Sequence, residues 1–114
     1  MAKYECSLRG DFDELLRELN NGIIRGSMSA NLEDSSDYRT QNTRCAVRVY
    51  ERYSMVGKNR VSMSITLVGE GENLFVSVIT AGGSQAVLFK FNTFGEKSFL
   101  EHAVRIVEKY KNGR

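Results

Sequence analysis

Arg44, Arg48 and Arg52 recur at every fourth position, with Tyr50 between the last two and Lys58 and Arg60 close behind. Residues four apart on a strand stand on one face, about 13 Å from each other. The spacing therefore predicts a row of guanidinium groups with an aromatic ring among them, on the strand face 44–60. Such a row tracks phosphates and stacks a base, which is the chemistry of a single-stranded nucleic-acid binder. The plainer alternative is a solvated sheet face whose arginines pair with acids on neighbouring strands. It is the favoured one, because the strand that follows offers Ser62, Ser64 and Thr66 and no second positive row. The charge layout makes the segment stand out all the same. Residues 1–38 carry net −4, residues 39–60 net +5 and residues 61–114 net +1, in a chain whose total is only +2.

A second candidate is the segment Thr80-Ala81-Gly82-Gly83-Ser84-Gln85-Ala86. Backbone N–H groups around glycines form anion-binding nests, so Gly82 and Gly83, with the side chains of Ser84 and Gln85, could hold a small anion. No lysine stands at Walker spacing and the segment joins two strands, which makes a plain hairpin turn the simpler account. His102 is the single histidine, on the flank of a helical apolar stripe, where a boundary residue is expected before a general base. One histidine, scattered serines and two cysteines supply neither a nucleophilic triad nor a zinc site. Asp11, Asp13 and Glu14 are best read as charges at the start of a helix. No catalytic residue, metal ligand or cofactor is therefore assigned, and the reading leans away from an enzyme without deciding it.

Cys6 and Cys45 lie too far apart for a CxxC pair or a metal-ligand spacing. Each alternates in phase with apolar neighbours, so both are expected as reduced thiols in the core. The last candidate is apolar. If Val76 and Val78 point into the core, Phe75, Ile79 and Ala81 point out of it, near Leu88 and Val68. An exposed patch of this kind marks a partner or self-association surface.

The elements that must position these residues follow from hydrophobic period. The 114 residues, 41% hydrophobic and 26% charged, suit one ordered domain over 1–114 and exclude disorder. No run reaches the ~18 apolar residues of a membrane span, and no apolar leader stands at the N-terminus, which places the expected location in the cytosol. Residues 2–9 alternate as a half-buried strand. Asp11 and Glu14 form a capping box for a helix over 12–23, with Asn20-Asn21-Gly22 suited to its end. Met28, Ala30 and Leu32 make a short inward row closed by a turn at Asp34-Ser35-Ser36-Asp37. A long strand over 38–53 then turns Cys45, Val47 and Val49 inward and the arginines outward. Strands at 61–67 and 74–81 follow, and Val87, Phe89 and Phe91 alternate as a last strand to Asn92. Thr93 and Glu96 cap a C-terminal helix whose stripe includes Phe99, Ala103 and Val107. The expected fold is α+β: a mostly antiparallel sheet of about six strands, in the order β-α-β-β-β-β-β-α, with both helices on one face.

That order resembles TATA-binding-protein-like and helix-grip domains, in which a curved antiparallel sheet grips a long C-terminal helix; the resemblance implies a cavity between sheet and helix. The words Arg48-Val49-Tyr50-Glu51-Arg52-Tyr53-Ser54, Thr80 to Ala86 and Asn92-Thr93-Phe94-Gly95-Glu96 together resemble a family of short bacterial single-domain proteins classed only as a domain of unknown function. This likeness spans nearly the whole chain and implies a bacterial protein, with no catalytic residue to carry over. Three functions then compete. First is a non-catalytic binding module that engages a protein partner, itself as a homo-oligomer, or a small apolar ligand. Second, and not expected, is nucleic-acid binding through the basic strand. Third is an enzyme with an undeclared site.

Overall fold

The computed structural model of the chain describes residues 1–27, 29–54, 59–82 and 89–113. Alternating Tyr4, Cys6 and Leu8 place one side of β1 (Ala2–Arg9) on the core. Gly10 ends the strand, and Asp11 caps α1 (Phe12–Gly26) by accepting the Glu14 N–H at 2.9 Å. The return half of the expected capping box runs through a tyrosine. Asp11 N–H donates to Tyr110 Oη at 2.9 Å, and that hydroxyl donates to Glu14 Oε1 at 2.8 Å.

Four strands follow: β2 (Asn31–Arg39), β3 (Arg44–Ser54), β4 (Asn59–Glu70) and β5 (Asn73–Gly82), and then α2 (Phe89–Asn112). All pairings are antiparallel, in the order β1-β5-β4-β3-β2. The helix α1 thus carries the chain from one edge of the sheet to the other. Both helices pack on the same face. Leu15, Leu19 and Ile23 of α1 meet Phe99, Ala103 and Val107 of α2 in one core with Met63, Ile65, Val76 and Val78 of the sheet. The helices also approach each other closely. A Cβ on Gly22 would lie 2.6 Å from Ile106 Cδ1, and one on Gly26 would lie 1.8 Å from His102 Cε1, so two glycines form the notch in α1 that α2 fills.

Several expectations change. The sheet has five strands rather than six. Phe89 and Phe91, expected on a last strand, belong to α2, whose start precedes the expected Thr93 cap. An apolar run that short carries no period able to separate strand from helix; Val87 lies outside the described residues. The first helix continues past Asn20-Asn21-Gly22 to Gly26. The expected turn Asp34 to Asp37 is strand, and the connection lies at 40–43, where Thr40 N–H donates to the Thr43 carbonyl at 2.7 Å. A polar sequence is stable in β2 because it is an edge strand exposed along its whole length. Of the expected inward row, Ala30 is buried, Leu32 is 42% exposed and Met28 lies outside the described residues.

The phase of β3 is the largest correction. Ala46 and Tyr50 are buried on the helix side, so Arg44, Arg48 and Arg52 point there too, and Cys45, Val47 and Val49 point to the opposite face. Cys45 is accordingly not a core thiol. Cys6 is on the helix side, three strands from β3, so the two free thiols cannot meet across the sheet.

Phe99 has no exposed surface, and the Arg52 guanidinium lies 4.6 Å from its ring centre. Phe99→Ala should lower unfolding free energy by about 3–5 kcal/mol, the usual cost of emptying a buried aromatic site. Denaturant unfolding checks this, and an unchanged midpoint would place Phe99 outside the core.

Candidate functional site

The arginine row stands on the inner side of β3 and is largely occupied there. Arg44 Nη1 donates to Asp13 Oδ2 at 2.9 Å while its guanidinium sits 4.2 Å from the Phe12 ring centre. That contact holds the Asp13 carboxyl below its usual range and raises Arg44. Arg48 pairs with Asp37 at 3.0 Å and donates to the carbonyls of Val47 and Ser36 at 3.0 and 3.3 Å. Arg52 lies over Phe99, and burial lowers its pKa. Tyr50 is fully buried, its hydroxyl donating to Asn20 Oδ1 at 2.7 Å, and burial pushes the phenol up to about 12. Its ring is not a surface on which a base could stack. Arg60 is on the other face of the sheet, 3.3 Å from Glu51 Oε1. Lys58 lies outside the described residues. The sequence brought these cations together as one face; the structure divides them between two.

Gly82 has φ of 119°, and a Cβ there would come within 2.5 Å of the Arg60 carbonyl oxygen, so only glycine fits this end of β5. The other members of the expected nest, Gly83, Ser84 and Gln85, lie outside the described residues. His102 fills the Gly26 notch between the helices. Burial, then the charges of Arg105 and Arg52, hold its imidazole below the ordinary value, against a hydrogen bond with the Gly22 backbone. Among the described residues, no group of three or more His, Cys, Asp or Glu side chains could hold a metal ion, and no helix is long and apolar enough to cross a membrane.

The side of the sheet away from the helices is different. Register places three rows of outward residues across all five strands, beside a shorter row Ala81-Ser62-Glu51-Asn31. The three are Lys3-Ile79-Ser64-Val49-Asp34, then Glu5-Ser77-Thr66-Val47-Ser36, then Ser7-Phe75-Val68-Cys45-Tyr38. Phe75 is 38% exposed and Ile79 39% exposed, Tyr38 is exposed, and the valines and Cys45 are half-buried by their neighbours alone. No described helix lies over them. The sequence singled out Phe75 and Ile79 correctly as outward residues; Leu88 lies outside the described residues. It missed Cys45, Val47, Val49 and Tyr38. The one usable signal was the parity of Tyr50, a large ring that a core claims ahead of a cysteine. An open depression of about 410 Å³ adjoins the face beside Phe75, Val68 and Arg9, and another of about 260 Å³ lies at the end of β3 between Tyr38 and Cys45 of this face and Phe12, Asp37 and Arg44 of the helix side.

A family model matches residues 1–111. The chain belongs to DUF6054, a family of unknown function. No curated protein matches it. Among solved structures, the crystal structure of TTHA0849 from Thermus thermophilus aligns over 95% of this chain and 94% of that one, with a TM-score of 0.43 and 11% identity. DUF6054 thus supplies no reaction, and the geometry of the two sheet faces is what a functional reading must use.

His102 generates a pH prediction. Its folded-state pKa is depressed, so the unfolded chain takes up the proton first, and stability is complete above the ordinary histidine value of about 6.5 and falls as pH drops below it. Asp13 adds a second loss of the same sign at lower pH, below the ordinary carboxylate range. The melting temperature should therefore fall between pH 7 and pH 5, and His102→Gln should remove most of that fall. The same pH dependence in both proteins would show that another group is responsible.

Proposed function

We propose that the chain is a non-catalytic binding module that docks a folded protein surface on the open face of its sheet. The observation that carries this reading is the exposure of Phe75 and Ile79, at 38% and 39%, among half-buried valines on a face that no described helix covers. Covering what remains exposed of each would contribute about 1–2 kcal/mol. The resemblance to helix-grip and TATA-binding-protein-like folds would instead put a small ligand between sheet and helices. There Met63, Ile65, Val78, Leu15 and Phe99 are each at most 1% exposed, so the open face is the better-supported surface. Against nucleic acid stand the carboxylates already beside Arg44, Arg48 and Arg60. Two free cysteines on opposite faces suit a reducing compartment such as the cytosol.

The test is an apolar fluorescent dye of the naphthalene-sulfonate type, added at concentrations where light scattering reports monomer. The folded monomer should enhance the dye's emission. Phe75→Lys with Ile79→Lys should abolish the enhancement without changing the far-ultraviolet circular dichroism, because the inward row Val76, Val78 and Thr80 is untouched. A native monomer that leaves the dye dark would remove the docking face.

A further inference from the structure

We infer that the occupant of this face is a second copy of the chain, seated about a two-fold axis that runs along β4, so that Lys3 of each copy meets the partner's Asp34. The inference rests on the docking reading above and adds the identity and orientation of the partner. In the order β1-β5-β4-β3-β2 the central strand is β4. Rotation by 180° about a line along β4, between two facing sheets, exchanges β5 with β3 and β1 with β2. Each row of outward residues then faces its own reversed copy, as an isologous interface requires.

The row Lys3-Ile79-Ser64-Val49-Asp34 has a cation at one end and an anion at the other. Reversed, it sets ammonium against carboxylate at both edges and Ile79 against Val49. The row through Phe75 sets that ring against the small Cys45, with Val68 facing itself. On the axis stand Ser64 and Thr66 of β4, small enough to let two sheets approach to the ~10 Å of face-to-face packing. In the two rows through Ile79 and Phe75 the larger residue of each facing pair is on β5, and in the row between them Ser77 of β5 meets Val47 of β3. Lys3 and Asp34 are both exposed, and neither has a partner of opposite charge among the described residues; Asp34 Oδ1 accepts only the N–H of Ser35, at 2.8 Å. Packed sheets are commonly rotated by about 30°, which displaces the edges by roughly 5 Å, a span that a lysine stem covers.

Two other symmetric arrangements are worse matched. An axis across the strands would bring Glu5 to its own image. Edge-to-edge pairing through β2 would bring together Glu33, Asp34 and Asp37 of two copies, the kind of charged edge that blocks strand addition. The area is also sufficient. Five strands about 4.8 Å apart and three to four residue rows about 6.8 Å apart give roughly 500–650 Å² a copy, so a pair reaches the ~1,000 Å² of a biological interface.

Charge reversal tests the orientation. Light-scattering mass is followed over a concentration series for the wild type, Lys3→Glu, Asp34→Lys and an equimolar mixture of the two variants. The wild-type mass should double with concentration. Each variant alone places like charges at both edges and should raise the dissociation constant about tenfold or more. In the mixed pair both contacts are again between opposite charges, so mixing should restore the wild-type curve. A wild-type monomer at every concentration would overturn self-association, while a bright dye signal from that monomer would leave the docking reading standing. A dimer that neither variant weakens and mixing does not alter would overturn the orientation. A dimer that survives Phe75→Lys with Ile79→Lys would place the contact elsewhere and overturn both.

Discussion

The ring of Tyr50 lies between the sheet and α1, with its hydroxyl 2.7 Å from Asn20 Oδ1, and side chains on a strand alternate between faces. That single burial therefore orients all of β3. It turns Arg44, Arg48 and Arg52 toward the helices, where Phe12 and Phe99 offer ring faces to two of them, and it turns Cys45, Val47 and Val49 away. Without those three the outer face would hold Phe75 and Ile79 as isolated apolar residues, which are ordinary on any surface. With them it becomes a mixed face, apolar residues of β5 and β3 on either side of Ser64 and Thr66, with Lys3 and Asp34 at its edges. The helix layer contributes by omission: α1 and α2 grip each other through the Gly22 and Gly26 notch on one side, so neither covers the other.

The same residue explains where sequence reading succeeds and where it fails. Alternation in β1 and β4 is clean because each puts apolar residues on one side and mostly short polar or charged ones on the other, while β5 is apolar on both sides and its phase follows from Leu74, Val76 and Val78. Those strands, with α1 and the stripe of α2, are legible. In β3 both sides are ambiguous. A hydropathy count prefers Cys-Val-Val for the core over Arg-Ala-Arg-Tyr-Arg. It misses that arginine stems are apolar and that a guanidinium rests well on an aromatic ring. An edge strand such as β2 gives no period at all, since water reaches both its faces. The candidate site was half visible: Phe75 and Ile79 follow from β5 alone, whereas their company on β3 depends on a phase that only packing against α1 decides.

The arginine row also shows how a functional motif and a structural one share a spelling. Cations at every fourth position with an interposed tyrosine describe a nucleic-acid surface when they face water. They describe the cover of a core when acids on α1 and β2 stand opposite them, as Asp13 and Asp37 do. Both acids belong to the net-negative first third of the sequence, so part of its charge asymmetry is matched internally between segments.

The position of β1 bears on how the chain assembles. β3, β4 and β5 form a meander through short connections, with contacts that can close early. β1 is the first strand in the sequence, yet its partners on β5 are 64 to 78 positions away. Closing so long a loop is entropically slow, and non-local pairing of this kind sets the pace of folding in small domains. On a ribosome, the opening strand and the apolar stripe of α1 must wait for β5 to emerge. For that interval the edge of the nascent meander and its bare faces are the exposed surfaces of the chain, and they are the stage at which a chaperone would meet it.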